Sequence, residues 1–71
     1  MNPLDTQIGG QHYKDLAIQP AEYCQRNRLP HLESSVVKYV TRHRVKGKKQ
    51  DIEKAIHCLQ LLLEIDYKEA E

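Results

Sequence analysis

From Ile52 to Leu63 the apolar residues Ile52, Ala55, Ile56, Leu59, Leu62 and Leu63 recur at intervals of three and four. That spacing lines one face of an α-helix. It predicts a helix over about Lys49 to Tyr67, with Asp51 and Glu53 suited to its positive N-terminal end. Cys58, Leu61 and Ile65 widen the apolar arc beyond what one neighbouring helix would cover. The chain that must cover it has 71 residues, too few to bury a large share of its own surface. Chains of this size lean on disulfides, a metal or a partner. Cys24 and Cys58 allow at most one bridge. A homo-oligomer is therefore the expected route to stability; cover by the first helix and the N-terminal segment is the alternative.

The rest of the chain also reads as helical. Residues 1–11 are polar, end in Gly9-Gly10 and predict a mobile arm, leaving 12–71 as a single helical domain. Pro20 suits the first turn of a short helix carrying Ala21, Tyr23 and Cys24. That helix should stop before Leu29, because the residue preceding Pro30 avoids the α region. Leu32, Val36, Val37 and Val40 predict a second helix from about Leu32 to Val45, ended by Gly47 in a left-handed conformation. Helices two and three then form an αα-hairpin. The expected fold is all-α: an arm, one short helix and a hairpin, with a short extended piece at Leu16 to Ile18. No apolar run follows Met1 as in a signal peptide, and Leu61-Leu62-Leu63 is too short to span a membrane. A cytoplasmic protein with reduced thiols and no membrane partner is expected.

Charge is near balance overall, at a formal +1, but unevenly placed. Six of the eleven lysines and arginines fall between Lys38 and Lys49, where there is no acid. Such an excess attracts anions whatever the mean charge. On the second helix Lys38, Arg42 and Lys46 are four apart and share a face, while Tyr39 and His43 form a neighbouring pair. Arginine can grip phosphate oxygens bidentately, lysines act as point charges, and the ring can stack or donate its hydroxyl. The plain alternative is a solvated basic face. On the third helix, Glu53 with His57 and Asp51 with Lys54 read first as helix-surface pairs. As catalytic groups, Asp51 could hold a cation or orient a lysine, and His57 could move a proton near neutral pH. With no HxxxH or CxxC spacing, no structural zinc site is expected. No GxxxxGK[ST] phosphate loop is present.

"HYK" at 12–14, "IQPAEY" at 18–23 and "VVKYVTRHRVKGKKQDIEKAIHCLQLLLE" at 36–64 together resemble a family of small bacteriophage proteins, a domain of unknown function related to the early nucleotide kinase of T-odd coliphages. The resemblance runs from about His12 to Glu64. Its signature falls on His12, Tyr13, Pro20, Glu22, Lys38, Tyr39, Arg42, Lys46, Gly47, Asp51, Lys54 and Ala55. This chain has Ser34-Ser35 where the family often has Gly-Asn, and Cys58 where it often has an aromatic residue. The resemblance implies a nucleotide-binding protein in the cytoplasm of an infected bacterium. Its phosphates would be held by His12, Tyr13, Lys38, Tyr39, Arg42, Lys46 and Lys54.

Three functions follow as expectations. A nucleoside monophosphate kinase-like phosphotransferase would use the basic face for the phosphates and would need Mg²⁺, held by Glu22, Glu33 or Asp51. A non-catalytic oligomeric sponge for nucleotide signals used in host defence would need the pocket alone. A nucleic-acid-binding protein would set the 38–49 run on backbone phosphates, a reading that the low aromatic content places third.

Overall fold

The computed structural model describes residues 15–68. Pro20 opens α1 (Pro20–Arg26), with its fixed φ already helical and no N–H to leave unpaired. The helix ends on a two-bond cap. Leu29 N–H donates to the Cys24 carbonyl at 3.0 Å and Arg28 N–H to the Gln25 carbonyl at 3.2 Å, with Arg28 at a φ of 56°. This is a Schellman motif in which arginine occupies the left-handed place that glycine usually takes. Pro30 then sets the entry of α2 (His31–Arg42), and the Ser34 hydroxyl ties its first turn back to the Leu29 carbonyl at 3.1 Å. A tight connection at 43–48 leads into α3 (Lys49–Asp66), 18 residues long. Helices α2 and α3 make the main packing of the chain, an αα-hairpin, and α1 lies against α2. All regular structure among the described residues is helical. Leu16 to Ile18 form bends rather than the expected extended piece. The arm expected over 1–11, with His12 and Tyr13, lies outside the described residues. None of the three helices is long and apolar enough to cross a membrane.

The connection departs from its sequence reading in an informative way. Helical pairing ends at Arg42, three residues before Val45, and Val45 N–H takes the tighter bond to the Arg42 carbonyl at 3.0 Å. The left-handed residue is Lys48, at φ 53° and ψ −133°, and not Gly47. With the Gly47 carbonyl accepting from Gln50 N–H at 3.0 Å, Lys48 occupies the first central position of a type II′-like turn, where glycine is preferred. Gly47 is required for another reason. A Cβ built there would lie 2.1 Å from both Cγ and Oδ1 of Asp51. Close approach of a side chain, rather than its own dihedrals, leaves that position no room.

Little apolar side chain is enclosed. Among the described residues Pro20, Cys24 and Ala55 are the buried apolar ones, and Asp51 the buried polar one. The radius of gyration is 14.0 Å, against about 11 Å for a compact chain of this length. The stripe on α3 is therefore divided. Ala55 is buried and Ile52 and Leu62 half-buried, while Ile56, Leu59 and Leu63 are exposed.

Two substitutions test the turn. Lys48→Gly should raise stability by about 1 kcal/mol, because the backbone strain of a side chain at this φ exceeds the entropy that glycine loses. Gly47→Ala should lower it by about 1–3 kcal/mol through the forced displacement of Asp51. Urea unfolding followed by circular dichroism measures both, and a neutral Gly47→Ala would contradict the close-approach account.

Candidate functional site

The hairpin turn brings the last residue of α2 opposite the first turn of α3. Arg42 Nε donates to Asp51 Oδ2 at 3.0 Å and Nη2 donates to Oδ1 at 3.2 Å, a fork on a carboxylate. The Gly47 N–H adds a third bond to Oδ2 at 3.0 Å. Asp51 is 1% exposed, and a carboxylate so enclosed is tolerable only when paired and hydrogen-bonded. The Arg42 hydrogen bond holds the Asp51 carboxyl below its ordinary pKa of 3.8. Burial opposes this, while the Gly47 N–H and the charges of Arg42 and Lys54 add to it.

One turn further from the connection, the same antiparallel pairing sets Tyr39 beside Lys54. Three cations gather on the Tyr39 ring: Arg42 Cζ at 5.1 Å from its centroid, Lys38 Nζ at 5.2 Å and Lys54 Nζ at 5.6 Å. All lie within the range at which a ring quadrupole attracts a cation. Asp51 balances one of the three charges, so the cluster keeps an excess of positive charge. A groove of about 480 Å³ opens next to it, lined by Tyr39, Gln50, Glu53, Lys54, His57 and Cys58. The arrangement is suited to an anion that meets the lysines while a flat group enters the groove.

The structure thus brings together Lys38, Tyr39, Arg42 and Lys54, and places His57 in the adjoining groove. Lys46 stands apart, exposed in the 43–48 connection beyond the end of α2. The third cation at the ring comes from α3 and not from the next turn of α2. Asp51 lies beneath Arg42, placed to orient that guanidinium rather than to touch a substrate. The cation it holds is part of the protein.

The other carboxylates considered for Mg²⁺ are dispersed. Glu22 accepts from Arg26 Nε at 2.8 Å on α1, and Glu33 on α2 has its Oε1 buried without a hydrogen-bond partner. Among the described residues no three His, Cys, Asp or Glu side chains are grouped to hold a metal ion. Cys24 and Cys58 are both free thiols, the first buried and the second half-buried.

Sequence reasoning missed the pairing of Arg42 with Asp51 and the groove residues Gln50 and Cys58. The pairing left one signal: Asp51 is the first acid after the basic run, three residues into a helix that follows a tight connection. No family model, curated protein or solved structure matches this chain.

The ion pair carries a pH dependence whose sign follows from the lowered pKa. Folded Asp51 binds a proton more weakly than unfolded Asp51. Its contribution to stability is therefore whole above the ordinary value of 3.8 and is lost as pH falls below it. Asp51→Asn should lower stability at neutral pH and flatten the acid limb, so that the two proteins converge in acid. Urea midpoints of both proteins on either side of that value measure it, and parallel acid limbs would show that the pair adds no pH-dependent stability.

Proposed function

We propose that this protein binds nucleotides, in keeping with the bacteriophage family that its sequence resembles, and acts as an oligomeric binder in the host cytoplasm without turnover. Lys38 and Lys54 hold the phosphates beside the Asp51-oriented guanidinium of Arg42, and the groove past Tyr39 receives the base. The observation that carries this reading is the convergence of three cations on one tyrosine ring with a single buried carboxylate to balance them. Like charges held together repel, and a bound phosphate relieves that repulsion while accepting charge-assisted hydrogen bonds. Binding is preferred to phosphoryl transfer because Asp51 is committed to Arg42 and Glu22 to Arg26, which leaves Glu33 alone of the three candidate carboxylates. A kinase would need carboxylates grouped around Mg²⁺ at the transferred phosphate.

Arg42→Ala is a poor probe of this site, since it strands Asp51 and should unfold the turn. Lys38→Ala and Lys54→Ala are the suitable variants, because both lysines are exposed. Each should keep its helicity and weaken nucleotide binding by about 1.5–3 kcal/mol, the range for a hydrogen bond to a charged group. Isothermal titration after retention of a labelled nucleotide pool measures this, with analysis of both bound and converted species. Converted nucleotide would favour the kinase reading, and retention of oligonucleotides alone the nucleic-acid reading. Unchanged affinity in folded Lys38→Ala and Lys54→Ala proteins would remove the Tyr39 cluster as the site.

A further inference from the structure

The cation cluster occupies one flank of the hairpin, and an apolar stripe of α3 faces the other. On α3, Ile52, Ile56, Leu59 and Leu63 lie on the far side from Lys54, whereas Val36 and Val40 of α2 line a groove with Ile18, Pro20 and Tyr23. Relative exposures of 49% at Ile56, 47% at Leu59 and 63% at Leu63 leave this stripe open among the described residues. The four α3 residues are spaced four, three and four apart, the repeat of a coiled-coil seam.

We propose that this flank is the contact surface for a second copy of the chain, with the two α3 helices antiparallel about a two-fold axis. Three observations select that occupant and that direction. First, the described residues enclose little apolar core, Pro20, Cys24 and Ala55, so a matching apolar face from another copy supplies what one copy lacks. Second, an antiparallel alignment centred between His57 and Cys58 pairs Ile52 with Leu63 and Ile56 with Leu59 of the second copy. Every seam residue then meets another, as a self-complementary contact requires.

Third, the same register sets Lys49 against Asp66 of the second copy at both ends of the seam. Lys49 and Asp66 are exposed and make no ion pair among the described residues, whereas nearby Glu64 is taken by Lys68 at 2.9 Å. The asymmetry is general along the hairpin. Its turn carries the exposed cations Arg44, Lys46, Lys48 and Lys49, and the far end of α3 carries acids. A parallel alignment would stack like charge on like charge. The Tyr39 cluster faces away from this contact, so the dimer stands or falls independently of nucleotide binding.

Sedimentation equilibrium on the full chain should return twice the 8.3 kDa chain mass, with a helical content that falls as dilution splits the dimer. Ile56→Asp should weaken association by roughly a hundredfold or more, since it buries an unpaired carboxylate in the seam. Because that variant can also fail to fold, the exposed ends provide a second test. Lys49→Glu and Asp66→Lys should each weaken the dimer by roughly three- to tenfold, and the double variant should recover it. Under oxidation, a mixture of Lys49→Cys and Asp66→Cys chains should form the mixed 49–66 disulfide, identified by peptide mass. A monomer at every concentration tested would overturn the proposal. So would a dominant 49–49 link, or a dimer in which none of the three single variants matters.

Discussion

A carboxylate closed off from water, with one guanidinium in front of it and one backbone N–H beside it, fixes where this chain turns. Asp51 cannot be enclosed without Arg42, so the end of α2 and the start of α3 are held in one register. The Gly47 N–H completes the set and draws the connection against the carboxylate. With so little apolar surface enclosed among the described residues, this polar lock joins α2 and α3 at their shared end. Replacing a buried ion pair as a whole by apolar groups can leave stability unchanged, whereas removing one partner alone is strongly destabilising.

Register at the turn propagates along both helices. Once residue 42 faces 51, Tyr39 and Lys38 come level with Lys54, and the cations of two helices meet on one ring. The same register leaves Ile52, Ile56 and Leu59 on the side of α3 away from Lys54. A single local constraint thereby gathers the cations of both helices on one flank and leaves the Ile52–Leu63 stripe on the other. Neither helix could produce this division alone, because each carries both kinds of residue around its circumference.

Much of the fold was legible because it depends on periodicity. The three-four spacing from Ile52 to Leu63 predicts α3 within a residue of its end, Pro20 marks the start of the first helix, and Pro30 bounds it on the other side. The connection was less legible, since its conformation depends on a contact nine residues apart in sequence and not on local preference. Gly47 invites a left-handed assignment; the structure puts that dihedral on Lys48 and uses the missing side chain of Gly47 to admit Asp51. The site was legible in composition but not in membership. Spacing on one helix groups Lys38, Arg42 and Lys46, while the cluster at Tyr39 replaces Lys46 with Lys54 from the opposite helix. Helical periodicity reports neighbours within an element and is silent on which elements meet.

The vanishing room at Gly47 has an evolutionary consequence. Any side chain there collides with Asp51, any shortening of Asp51 leaves Arg42 without its carboxylate, and loss of Arg42 strands the acid. Each single step away from the triplet passes through a worse protein, while a joint change to a different, mutually compatible set need not. Positions 42, 47 and 51 therefore constrain one another, an island of epistasis within helices whose exposed residues lie outside that constraint.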